Sequence, residues 1–165
     1  MNIPTNILYL LIILLSFTND EGISIYNSDK VTSIETGEKI YTTGIGENDI
    51  IAQVSGMNMK GSMMACVNCH GNCGKGVTMS GTEVPDIRRS SIIKRHFSED
   101  KVEGLEKDVI SATKKAITMG LKPDGSKMHN LMPRYKMSID DMNSLITYLE
   151  SLGEDHKCKE GEDNE

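Results

Sequence analysis

Two thiols and an imidazole fall within five positions, Cys66-Val67-Asn68-Cys69-His70, in a chain that has 4 cysteines and 4 histidines. On a helical turn, residues three apart lie on the same side. Both sulfurs can then reach one edge of a flat ligand, with His70 carried beneath it. This is the spacing with which two thiols add to the two vinyl groups of a haem while the next imidazole ligates the iron. Other chemistries use some of the same residues. Cys66 and Cys69 suit a thiol–disulfide pair, although that motif usually opens a helix in a βαβ context, and none is visible here. Cys66, Cys69, His70 and Cys73 suit a zinc ion, but without the distant second pair of most structural zinc sites. An iron–sulfur cluster wants a fourth thiolate, which leaves only Cys158 to supply it.

The elements that must position these residues read as helices. Residues 34–43 carry Ile40 and Tyr41 on a short amphipathic pattern that Gly44 stops. Residues 105–119 place Leu105, Val109, Ala112, Ala116, Ile117 and Met119 close to one face at a period of 3.6, and Gly120 ends the run. Ser138-Ile139-Asp140-Asp141 has the spacing of a capping box. After it, Ile139, Met142, Leu145, Ile146, Leu149 and Leu152 form one stripe, with Gly153 at the stop. The intervening Gly-, Ser- and Pro-rich loops show little strand alternation. The class is all-α, with three to five helices and long loops, and loops of that length need something to pack against. No repeat of 20–50 residues is visible, which excludes solenoids and propellers.

The ends read differently from the middle. Residues 7–15 are an unbroken apolar run, the length of a signal-peptide core and short for a membrane span. Residues 1–22 are therefore expected to be a signal peptide or an N-terminal anchor. No Lys or Arg precedes the run and no Ala-x-Ala follows it. Residues 154–165 read as an acidic, solvated tail, and the domain is expected over 33–153. The whole chain of 165 residues balances 18 Lys+Arg against 24 Asp+Glu, a net charge of −6. That acidic balance, with no basic block, excludes an ordinary nucleic-acid binder. With Trp 0, Phe 2 and Tyr 5 beside Met 11, the chain is short of rings for its own core. A buried haem, large, flat and apolar, fills that deficit.

Three linked segments resemble the class I c-type cytochromes, the mono-haem electron-transfer fold, over roughly residues 33–153. The first is Thr36-Gly37-Glu38-Lys39-Ile40-Tyr41, similar to the N-terminal helix whose glycine and aromatic cross the C-terminal helix, here Leu145-Ile146-Thr147-Tyr148-Leu149. The second is Ala65 to Gly71 with Gly74-Lys75-Gly76. The third is Leu131-Met132-Pro133-Arg134-Tyr135-Lys136-Met137-Ser138, similar to the segment that supplies the distal iron ligand. The resemblance implies a small cytochrome c fold around one covalently attached haem c. Its iron would lie between His70 and Met132.

Proline after Met132 fixes φ and holds the preceding residue extended, which suits a presented sulfur. Met128 and Met137 offer the same chemistry, and His129 would give a bis-histidine iron. Otherwise the methionines suit packing around an irregular ring. Met57, Met59, Met63 and Met64 also match a soft copper(I) site, with packing ahead of Cys66 the simpler account. A ligating imidazole donates its other N–H to a carbonyl or carboxylate. In the resembling family a proline after the motif positions that carbonyl, and Val84-Pro85-Asp86 is the candidate. Arg134 and Tyr135 follow Met132 and are candidates to hydrogen-bond a haem propionate, or else face solvent. Arg88-Arg89 and Lys94-Arg95-His96 form a basic cluster that reads as a docking patch or a solvated face. Cys73 and Cys158 are available for a disulfide.

With both axial positions filled, no site is open for substrate and the iron can only pass electrons. The expectation is an exported, periplasmic electron carrier and not an enzyme, serving a respiratory or oxidative chain. The resemblance implies redox partners such as a dehydrogenase, a quinol-oxidising complex or a terminal oxidase. The alternatives are a haem subunit of a larger oxidoreductase, and a haem enzyme or gas sensor with a displaceable distal ligand.

Overall fold

The computed structural model describes residues 21–79, 81–97 and 104–152. They fall into two compact units that divide after Thr32. Of the first, the described part is the beginning of helix α1 (Glu21–Thr43). The apolar run 7–15, the stop at Gly153, the tail 154–165 and Cys158 lie outside the described residues.

The second unit is framed by α1 and the last helix, α5 (Ile139–Ser151). Ser138 caps α5 as its sequence predicts, with its hydroxyl oxygen accepting from the Asp141 N–H at 3.0 Å. The apolar stripe of α5 then buries Met142, Leu145, Ile146 and Leu149. Helix α1 crosses this helix closely because Gly37 has no side chain. A Cβ there would lie 2.1 Å from Ser144 O and 2.7 Å from Tyr148 Cβ. Next to the crossing, the rings of Tyr41 and Tyr148 meet tilted, with centroids 5.3 Å apart. Tyr41 and Ile40 are 0% and 1% exposed, so this crossing is the centre of the core.

Three further helices complete the described set: α2 (Val67–His70), α3 (Arg89–His96) and α4 (Leu105–Met119). The bounds of α4 are those its periodicity predicts, and it buries Val109 and Ile117 against the core side. It touches α3, α5 and the strand that follows Met132.

Besides α3, which no sequence pattern marked, the start of α1 and the strands were not expected from the sequence. Helix α1 starts at Glu21, well before residue 34. The loops also carry a small sheet, with β1 (Ile51–Val54) in the middle, β2 (Met57–Lys60) on one side and β5 (Arg134–Lys136) on the other, all antiparallel. A second pairing joins β3 (Thr78–Met79) to β4 (Thr82–Glu83). The first sheet brings Ala52, Met59 and Tyr135 into one row, and that row faces the core. It therefore ties the chain just before Cys66 to the chain just after Met132. The architecture remains a small helical one, with the strands as clasps on its loops.

Candidate functional site

The Cys66–His70 segment is a single helical turn. The amides of Cys69 and His70 both donate to Cys66 O, at 3.2 and 2.9 Å, and the Gly71 N–H donates to Val67 O at 2.9 Å. Cys66 and Cys69 are both free thiols. Burial pushes the Cys66 thiol up to about 12, with the Tyr135 hydroxyl beside it pulling weakly the other way. A thiol held protonated is a poor nucleophile for disulfide exchange, which uses the thiolate. The zinc set also loses a member, since Cys73 is disulfide-bonded. Its expected partner, Cys158, lies outside the described residues. Among the described residues, no three His, Cys, Asp or Glu side chains converge to hold a metal ion.

His70 is 6% exposed, and its Nδ1 lies 3.2 Å from Pro85 O. A carbonyl only accepts, so the proton sits on Nδ1 and the lone pair on Nε2. Burial lowers the His70 pKa, against the raising effect of the bond to Pro85. The ring is neutral at neutral pH, the form that binds a metal. The loop around it is closed by backbone bonds: Gly76 N–H to His70 O at 3.0 Å, Val84 N–H to Val77 O at 2.8 Å and Ile87 N–H to Gly74 O at 2.8 Å. Gly76 is required here. Its φ is +76°, and a Cβ would lie 2.1 Å from Val84 O and 2.7 Å from the carbonyl carbon of Pro85.

Two tyrosines brace the turn. The Tyr41 hydroxyl donates to Gly71 O at 2.6 Å, and the Tyr135 hydroxyl donates to Met64 O at 2.5 Å. Burial raises the pKa of both phenols, with the Cys66 thiol adding to the effect. The single proton of Tyr135 is therefore given to the chain ahead of Cys66.

The Met132 segment approaches the same core. Met132 is half-buried and packs against it, as do Met59, Met64, Cys66, Val67 and Met137. Its N–H donates to His129 O at 3.1 Å, and its carbonyl accepts from the Arg134 guanidinium. Arg134 lies over Gly120, where a side chain would collide with the guanidinium. The structure thus sets Arg134 on the backbone of Met132 itself. Of the rival ligands, Met128 is half-buried and donates its N–H to Gly120 O at 2.8 Å. His129 is exposed, and its Nδ1 accepts from the Leu131 N–H at 3.3 Å. The copper alternative is divided: Met59 and Met64 pack on the core, whereas Met57 and Met63 are exposed.

The sequence placed Asp141 in the capping box and Arg95 in the basic cluster, but it did not show that Asp141 holds the loop after α1 or that Asp86 gathers Arg88 and Arg95. Asp141 is 1% exposed and accepts from the Glu47 N–H at 2.8 Å, the Asn48 N–H at 3.2 Å and the Ser138 hydroxyl at 2.8 Å. It ties the loop after α1 to the start of α5. The capping-box spacing gave its bond to Ser138, whereas the bonds to Glu47 and Asn48 come from far along the chain and leave no local signal. The basic cluster stays at the surface, with Arg88 half-buried and Arg95 exposed, but part of it is engaged with Asp86. Arg88 pairs with Asp86, and Arg95 donates to Asp86 O.

The donor set fits a covalently held haem: two free thiols on one turn, a buried neutral imidazole with Nε2 available, and apolar side chains from both segments at one core. The family model for cytochrome c matches residues 34–153, and the chain belongs to that family. No curated protein and no solved structure matches the chain. Proteins of this family bind haem c covalently and typically carry electrons, and Cys66, Cys69 and His70 are present here to hold it. Cytochrome c domains are usually exported. No helix among the described residues is long and apolar enough to cross a membrane.

Proposed function

We propose that this chain is an exported mono-haem electron carrier, with His70 and Met132 as the axial ligands of the iron. When bound, the haem supplies an iron that alternates between Fe(III) and Fe(II). Cys66 and Cys69 hold it by thioether bonds, so it cannot dissociate into a dilute extracytoplasmic space. Pro85 keeps His70 in the tautomer that offers Nε2, and Met132 offers a thioether, which favours Fe(II) and a high potential. With His70 and Met132 both holding the iron, the chain would leave no place on it for a substrate. Residues 1–22 act as the export signal or as a membrane anchor. The partners are redox proteins, of the dehydrogenase, quinol-oxidising or terminal-oxidase kind.

The observation that carries this reading is the 3.2 Å contact between His70 Nδ1 and Pro85 O, made by a buried imidazole next to two free thiols. The test is to mature the full chain with a haem-attachment system and follow a potentiometric titration by absorbance. One haem per chain, retained on denaturation and titrating as a single one-electron couple, supports the reading. A chain that retains no haem on denaturation contradicts it.

A further inference from the structure

We propose that Asp86, Arg88 and Arg95 are positioning residues: they fix the Pro85 carbonyl against His70 and thereby set the reduction potential of the iron that His70 holds. The inference rests on the reading of the site as a haem centre and deepens it.

The hydrogen bond from His70 Nδ1 ends on a loop carbonyl, and a loop carbonyl is only as fixed as the dihedral angles on either side of it. On the N-terminal side the proline ring locks φ of Pro85. The peptide unit that carries the carbonyl is planar and continues into Asp86. The remaining freedom is rotation of that unit about ψ of Pro85 and φ of Asp86, and anchoring Asp86 limits both; Asp86 is held at three points. Its Oδ1 accepts from the Arg88 N–H at 2.9 Å, closing a tight turn. Its carboxylate also accepts from Arg88 Nε, at 3.1 and 3.0 Å to the two oxygens, and from Arg88 Nη2. Its own carbonyl accepts from Arg95 Nη2. Arg88 is the N-cap of α3 and Arg95 lies in its last turn, so α3 is fastened to Asp86 at both ends, to the carboxylate through Arg88 and to the carbonyl through Arg95. A paired carboxylate and guanidinium make charge-assisted hydrogen bonds, stronger and more directional than neutral ones. Two side chains of the basic cluster are thus spent on Asp86, the residue whose backbone continues directly from the Pro85 carbonyl that meets His70.

The consequence for the iron has a definite sign. A firm Nδ1–H···O bond gives the imidazole more anionic character and makes it a more basic ligand. That favours Fe(III) and lowers the potential. Loosening the Pro85 carbonyl weakens the bond and raises it. Loss of a cation acts in the opposite direction, because removing positive charge near the iron favours Fe(III). Positioning and simple charge are therefore separated by the sign of the shift.

The experiment uses the full chain matured with haem, as wild type and as Arg88→Met, Arg95→Met and Arg95→Gln. Each is titrated potentiometrically, and exchange of the His70 Nδ1 proton is followed by NMR. Arg88→Met and Arg95→Met are expected to shift the Fe(III)/Fe(II) balance at least threefold toward Fe(II), about 30 mV at 59 mV per tenfold for one electron. Their Nδ1 proton should exchange faster than in wild type. Arg95→Gln keeps a donor for Asp86 O without the charge, so its Nδ1 proton should exchange as in wild type and its potential should lie below that of Arg95→Met. If Arg88→Met does not mature, Arg95→Met against Arg95→Gln decides, since both lose the same charge and a pure charge effect lowers both potentials equally. Unchanged or lowered potentials with unchanged exchange, in proteins that carry haem, overturn this inference and leave the haem reading standing. A wild-type chain without covalent haem overturns both.

Discussion

The Tyr41 hydroxyl donates to the carbonyl of Gly71, the residue immediately after His70, at 2.6 Å across thirty residues of chain. One side chain of α1 thus joins the helix crossing at the centre of the core to the end of the turn that carries the two thiols and the imidazole. Stability of the crossing and geometry of the site are mechanically one object.

Replacing Tyr41 by Phe keeps the ring against Tyr148 and deletes only the hydrogen bond. Loss of a bond of this kind costs about 1–2 kcal/mol, more if Gly71 O is left dry. Urea unfolding of the haem-bearing protein should show that loss with an unchanged slope. An unchanged midpoint would mean that water serves Gly71 O equally well.

Gly37→Ala tests the crossing itself. The new methyl would sit 2.1 Å from Ser144 O, a backbone atom that cannot step aside without moving α5. Overpacking of this sort costs roughly 1–3 kcal/mol. Thermal unfolding should record a clear fall, and loss of the Tyr41–Tyr148 packing should appear in near-ultraviolet circular dichroism.

Two carboxylates set the acid limit. Burial alone would raise the Asp141 pKa, but the bonds from Ser138, Glu47 and Asn48 hold it below the usual range. Burial likewise opposes, and Arg88 outweighs, at Asp86, which is held at about 2. A carboxyl with a folded pKa below its unfolded one stabilises the fold above the unfolded value of about 4 and loses that contribution as pH falls through the folded one. Stability measured by urea should therefore hold its Asp141 and Asp86 contributions at pH 5–7 and lose them as pH falls below about 4, that of Asp86 as pH approaches about 2. In Asp141→Asn the protein should be weaker at pH 7 and its acid decline shallower. A variant with the wild-type slope would show that Asp141 is not one of the groups responsible.

Much of this was legible in the residues. Cys66, Cys69 and His70 announce their chemistry by local spacing, and Ser138 and the stripe behind it define α5, because caps and helical periodicity are local properties. The sheet was not legible. Its strands are three or four residues long, too short for alternation to register, and β5 pairs with β1 from the far end of the chain. Helix α3 was missed because Ile92 and Ile93 are adjacent and give no stripe at helical spacing. The engagement of Arg88 and Arg95 was not legible because a basic run looks the same whether or not a carboxylate such as Asp86 lies folded beside it.

Attachment can be dissected by removing one thiol at a time. Cys66→Ser or Cys69→Ser leaves a single thioether, so haem should still follow the chain on denaturing electrophoresis, in reduced yield. The double variant should carry none. Haem retained by the double variant would mean that another residue, and not this turn, holds it.

The central claim is that His70 and Met132 close both faces of the iron. The most direct measurement is the visible spectrum of the matured full chain, oxidised, then reduced, then exposed to carbon monoxide. The account predicts a c-type spectrum with a thioether-to-iron charge-transfer band in the oxidised protein and no response to carbon monoxide in the reduced one. It further predicts that Met132→Ala loses that band and binds carbon monoxide. A wild-type haem that takes up carbon monoxide readily, or a band that survives Met132→Ala, would contradict it.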